Sequence, residues 1–170
     1  MKPRIGYVRK YARELLKRCN INEPPVDLRI IIEKEGLEYQ EVDYFPDDVD
    51  ALIIPMQGRV IAAVNKNQSP NRRRFSLAHE LCHHLLHRDR SLLEDRMTVD
   101  WRPPSRDEIH SKDVFEAEAD IFAGEVLISL PFLKKTFKPG MTAQDVARLF
   151  EVSQEAASVA ISTHFTSLFK

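Results

Sequence analysis

Phe75-Ser76-Leu77-Ala78-His79-Glu80-Leu81-Cys82-His83-His84-Leu85-Leu86-His87 decides how the rest of this chain is read. Within it, His79-Glu80-Leu81-Cys82-His83 has the H-E-x-x-H spacing in which a helix presents two imidazoles to one zinc ion. Residues four apart on a helix stand about 40° apart around the axis and roughly 6 Å along it, so both rings leave one face. Glu80 is turned about 100° from His79 and can flank a metal without binding it. A general base for an attacking water is needed there. The motif lies in an apolar run of Phe75, Leu77, Ala78, Leu81, Cys82, Leu85 and Leu86, which predicts a deeply packed helix. Two histidines and a glutamate at the edge of a buried face cost free energy unless they have partners. A metal is the simplest partner, and Cys82 is expected to pack as a small hydrophobe.

The third ligand has to come from elsewhere, because a zinc hydrolase usually takes three protein ligands and keeps one position open. His84 is turned about 100° from His83, and His87 lies about 12 Å along the axis from His79. One straight helix cannot bring all of these to one ion. His84 and His87 are expected as a surface pair or as support behind the ligands, and His110 and His164 have no supporting pattern. Better candidates lie in Glu116-Ala117-Glu118-Ala119-Asp120-Ile121-Phe122-Ala123. Ala119, Phe122, Ala123, Val126 and Leu127 set an apolar face there. Glu116 falls about 50° from its centre and Glu118 about 110°. Glu116 is therefore expected at the core boundary as the ligand, and Glu118 is expected to face solvent. Asp120, four residues after Glu116, would orient a metal-bound histidine. The predicted site is His79, His83 and Glu116 around one zinc ion, with Glu80 as base and Asp120 in support.

The 170 residues, 43% apolar and 30% charged, suit one domain or one domain with a small appendage. A net charge of −1 argues against nucleic acid as the main partner. No stretch approaches the ~20 apolar residues of a membrane span. Met1-Lys2-Pro3-Arg4 leads into a charged amphipathic segment, and Cys19 and Cys82 make no disulfide framework. A cytoplasmic protein with no membrane partner is expected.

Ile5 to Cys19 reads as an amphipathic helix, and Asp27 can cap a short helix that stops at Gly36. Leu37 to Tyr44, Ala51 to Met56 and Val60 to Val64 read as strands, with Gln57-Gly58 as a hairpin turn. These predict an α+β fold with a small antiparallel sheet of about three strands. Ser69-Pro70 is a good start for the motif helix. Arg72, Arg73 and Arg74 sit in its first turn, where the helix dipole disfavours cations. They are expected on a solvated face, the alternative being contact with an acidic substrate segment or with neighbouring carboxylates. Arg88 to Lys112 reads as an irregular loop able to wall a cleft. A second helix then runs from Val114 to Ile128 and ends near Pro131. Thr142 and Ser153 cap two further helices in a helix-turn-helix-like arrangement. Asp145, Glu151 and Glu155 give that part mixed charge, which favours a packing or protein-contact role over DNA reading.

The two central motifs together resemble the ImmA/IrrE metallopeptidases of bacteria and their mobile elements. Arg74 to His83 is similar to that family's R-F-[ST]-L-A-H-E-L-G-H, and Glu116 to Ile128 to its E-x-E-A-N-x-F-A-x-x-L-L-M-P. Weaker echoes are Pro25-Val26-Asp27, Asn65 and Phe150-Glu151-Val152-Ser153. Cys82 stands where the family has Gly, Asp120 where it has Asn, and Ile128-Ser129-Leu130-Pro131 stretches the ending. The resemblance runs roughly from Pro25 to Ala160 and implies a zincin-like core of a small antiparallel sheet and a metal-binding helix pair, with a helix-turn-helix-like C-terminal part. The expected division is a metallopeptidase domain with N-terminal helices over residues 1–138 and a small helical part packed on it over 139–170. The resemblance also implies a zinc endopeptidase that cleaves an XRE-type helix-turn-helix repressor and so relieves repression. It carries the ligands to His79, His83 and Glu116 and the base to Glu80. The competing expectation is a non-catalytic zinc-containing protein that holds a repressor or antitoxin-like partner. An intact Glu80 speaks against it, because a purely structural site needs no base.

Overall fold

The computed structural model describes residues 2–45, 49–87 and 106–168, the last segment without the side chains of 106–113. The expected loop of Arg88 to Lys112 falls largely outside the described residues, and so does the side chain of His110. The described chain runs α1 (Ile5–Arg18), α2 (Leu28–Lys34), β1 (Glu38–Val42), β2 (Ala51–Met56), β3 (Arg59–Asn65), α3 (Pro70–Leu86), α4 (Arg106–Leu127), α5 (Leu130–Thr136), α6 (Ala143–Phe150) and α7 (Gln154–Leu168). This is an α+β fold.

Local chemistry sets most of the boundaries. The Asp27 carboxylate accepts from Arg29 N at 2.9 Å and starts α2. Gly36, at φ +74°, follows it in the left-handed conformation. Ser69 caps α3 with Pro70 in the first turn. Thr142 and Asp145 form a reciprocal capping box on α6. Gln57 and Gly58 join β2 to β3 with φ of 50° and 79°, the double left-handed pair of a tight hairpin turn.

Three strands form one sheet in the order β1-β3-β2. The expected antiparallel pairing holds for β2 and β3, where Ile53 lies opposite Ala62. It fails for β1, which pairs with β3 in parallel, Gln40 opposite Ala63. The hairpin folds β3 back between the other two strands. A strand antiparallel to β2 on one side then runs with β1 on the other. As the central strand, β3 carries four consecutive buried residues, Ile61 to Val64.

The second helix starts eight residues before the expected Val114 and ends one residue before the expected Ile128. α4 begins at Arg106 and ends at Leu127. Ser129 then caps a new helix, α5, accepting from Phe132 N with Pro131 in the first turn. Ser-x-Pro after an apolar run is thus a restart signal.

The core is continuous from Val8 in α1 to Ala157 in α7. α4 is its central rod and packs against both α3 and α1. Ala78, Ala119 and Ala123 are fully buried, and small side chains of this kind let the motif helix and α4 approach closely. The C-terminal helices attach through Arg74 Nε, which donates to Glu151 O at 3.1 Å, and Asn71 Nδ2, which donates to Val152 O at 3.0 Å. The three arginines of the first turn each find a carboxylate: Arg72 with Asp50 at 2.6 Å, Arg73 with Glu41 at 3.5 Å and Arg74 with Glu151 at 3.6 Å. The dipole penalty is offset locally, and the solvated-face expectation gives way to its alternative.

Candidate metal centre

His79 and His83 leave α3 on one face, four residues apart, and Glu116 meets them from α4. One ligand atom from each of the three residues lies within 4.8 Å of the other two. His83 Nε2 is 3.1 Å from His79 Nε2. Glu116 Oε2 is 3.1 Å from His79 Nε2, and Glu116 Oε1 is 3.7 Å from His83 Nε2. Zinc binds nitrogen and oxygen at about 2.0–2.2 Å in tetrahedral array, which places neighbouring donors roughly 3.3 Å apart. The observed triangle is close to one face of such a tetrahedron. Two imidazole nitrogens facing each other and a carboxylate is an arrangement that a shared cation accounts for. The donor set, two imidazoles and one carboxylate, suits zinc.

The remaining ring nitrogens are also engaged. His79 Nδ1 lies 2.9 Å from Asp120 Oδ1, where it can donate, which leaves Nε2 free to ligate. Burial opposes a charged His79 ring, but the bonds to Glu116 and Asp120 outweigh it and raise its pKa. His83 Nδ1 lies 3.0 Å from His87 Nδ1, so His87 stands behind the His83 ring. His87 Nε2 in turn lies 3.0 Å from Glu118 Oε2.

Glu118 overturns the expectation of a solvent-facing side chain, because it is 1% exposed. Among the described residues α4 packs most extensively against α3 and α1, and its buried arc is wider than its apolar stripe. Glu118 and Glu125 stand seven residues apart on the flank that meets α1, and both are buried beside arginines. Arg4 grips Glu118 three times: its backbone N donates to Oε1 at 2.7 Å, Nε to Oε1 at 3.0 Å and the guanidinium to Oε2 at 2.7 Å. Arg4's hydrogen bond is the main reason the Glu118 carboxyl is held down to about 2. Arg4 and the burial of Glu118 escaped the sequence reading; its one available signal was a pair of acids seven apart on a helix.

Glu80 lines a cleft beside His79. Phe75, Ser76, His79 and Glu80 of α3 form one wall of this space of about 300 Å³, and Val49, Asp50, Ala51 and Leu52 form the other. β2 sits at the end of the sheet order and borders the cleft, and β3 is its partner among the described strands. The three side chains of the triangle remain partly open, with Glu116 44% exposed.

A small sheet carrying a paired-helix site of two histidines and a glutamate defines a metallopeptidase-like architecture. Residues 26–162 match the IrrE N-terminal-like domain, a peptidase family, and the chain belongs to that family. A solved structure described as a Mycobacterium tuberculosis transcriptional regulator shares the fold. Its TM-score is 0.63 at 17% identity, and the match covers 91% of this chain and 46% of that one. This chain thus corresponds to less than half of that protein. No curated protein matches it. Among the described residues, no helix is long and apolar enough to cross a membrane.

Proposed function

We propose that the chain is a zinc-dependent endopeptidase that cleaves a regulatory protein, an XRE-type helix-turn-helix repressor, in the cytoplasm. The donor triangle of His79, His83 and Glu116 beside Glu80 carries this reading. Zinc, when bound, supplies the Lewis acidity that makes water nucleophilic near neutral pH and polarises a carbonyl. His79 and His83 would present Nε2 to it, and Glu116 would present its carboxylate. Asp120 fixes the His79 tautomer from behind.

Glu80 takes the proton from the attacking water onto its carboxylate. It then delivers that proton to the nitrogen of the leaving amine. The cleft beside Glu80 orients the substrate. An extended peptide lying along β2 can pair with that strand's backbone, as peptides do at sheet edges. Membership of the peptidase family supports the reaction class. The helix-turn-helix repressor as substrate rests on the family resemblance of the motifs.

Co-incubation with an XRE-type repressor encoded beside this chain, read on a gel, tests the reading. Cleavage by the zinc-loaded protein is expected, with none in excess chelator and none by Glu80→Gln at full zinc content. Undiminished cleavage by Glu80→Gln overturns the base assignment. A stable complex without cleavage overturns the peptidase and favours a binding protein.

A further inference from the structure

The stripe on α3 continues one turn past His83. His87 Nδ1 faces His83 Nδ1 at 3.0 Å, and His87 Nε2 faces Glu118 Oε2 at 3.0 Å. His87 and Glu118 are both buried, at 4% and 1% exposure. The line ends at Arg4, which closes on Glu118 with its backbone N–H and its guanidinium. Arg4 lies outside residues 26–162, which carry the family match.

Proton accounting along this line has one consistent solution for neutral rings. Glu118, gripped by arginine, only accepts. His87 Nε2 must therefore carry the hydrogen, which leaves His87 Nδ1 as an acceptor. His83 Nδ1 then donates to it, and His83 Nε2 keeps its lone pair toward Glu116 and His79. The opposite tautomer of His83 would place a hydrogen where the ion belongs.

We propose that Arg4, Glu118 and His87 are positioning residues that fix the tautomer and ring orientation of His83, so that the N-terminal segment helps build the metal site. This rests on the zinc reading above. Asp120 does the corresponding work for His79 from an exposed position, whereas His87 and Glu118, the middle of the His83 line, are buried.

Partners that orient a ligating histidine typically contribute about 10–100-fold to metal affinity. The experiment uses the full chain and measures zinc affinity by chelator competition, with the visible absorption of bound cobalt as a second readout. His87→Phe is expected to weaken zinc binding by about 10–100-fold and to shift the cobalt bands. His87→Asn returns an acceptor near the Nδ1 position and is expected to restore most of the affinity. Glu118→Gln keeps the size of the side chain and is expected to weaken binding by about tenfold. Thermal melting of each variant in excess chelator separates folding from metal binding: a merely structural role lowers the metal-free midpoint and leaves affinity and cobalt bands unchanged. Wild-type affinity and bands in both His87→Phe and Glu118→Gln overturn the proposal, as does His87→Asn binding no better than His87→Phe. Failure of the wild-type protein itself to bind one zinc overturns the underlying reading instead.

Discussion

Asp120 Oδ1 lies 2.9 Å from His79 Nδ1 and joins α4 to the ring on α3 that it supports. The carboxylate is 62% exposed, so water competes for the bond and its contribution falls at the low end of the usual range. Asp120→Ala is expected to lower zinc affinity by about tenfold, and Asp120→Asn by less, because an amide oxygen still accepts. Competition with a chromophoric chelator measures both. Equal affinity in all three proteins would show that Asp120 does not orient His79.

Metal removal should be visible as stability. A ligand at one hundred times its dissociation constant stabilises the folded chain by about 2.7 kcal/mol. In a chain of this length that corresponds to a thermal midpoint higher by roughly 5–10 °C. Wild-type protein is expected to lose this increment in excess chelator. His79→Ala is expected to melt at one temperature with or without zinc.

Glu125 links α1, α4, α5 and α7. Its Oε1 accepts from Arg13 Nε at 2.6 Å and from Leu130 N at 3.1 Å, and Arg9 lies 3.8 Å from Oε2. The carboxylate is buried, but the two arginines keep about a third of their exposure and can rehydrate. Glu125→Ala is therefore expected to cost about 2–3 kcal/mol, toward the low side for breaking a buried ion pair. Denaturant unfolding in excess chelator checks it. The same variant should bind zinc normally once folded.

His164 on α7 supplies a pH dependence. Burial lowers its pKa below the ordinary 6.5, with Arg9 and Arg13 pushing the same way and Glu125, 3.9 Å away, pulling against them. A histidine with a lowered folded pKa takes up its proton more readily in the unfolded chain. Its contribution is fully present above the unfolded value and is lost as the pH falls through the lowered one. In excess chelator the wild-type midpoint is expected to fall more steeply than that of His164→Gln between about pH 7.5 and about pH 5.5. Parallel curves would show that folding does not lower the His164 pKa.

The parts of the site that read directly from sequence are those governed by helix geometry. A four-residue spacing places His79 and His83 on one face whatever surrounds the helix. The offset of Glu116 from the apolar stripe of α4 survives in the same way. Periodicity fails for Glu118, because the partner that makes its burial affordable stands 114 positions away at Arg4. The sheet shows the same division. The β2–β3 hairpin follows from Gln57-Gly58, a local turn. The parallel pairing of β1 depends on which edge of the sheet is filled, and no local signal encodes that.

Arg4, Arg9 and Arg13 precede residue 26, where the recognisable family domain begins, yet they neutralise two acids buried inside it. The region that carries the lineage is therefore smaller than the region that folds as a unit. A descendant that exchanged its first helix for an unrelated one would inherit two stranded charges. Glu118 and Glu125 would have to change with it, so the leading helix and these two positions of α4 should vary together when related chains are compared.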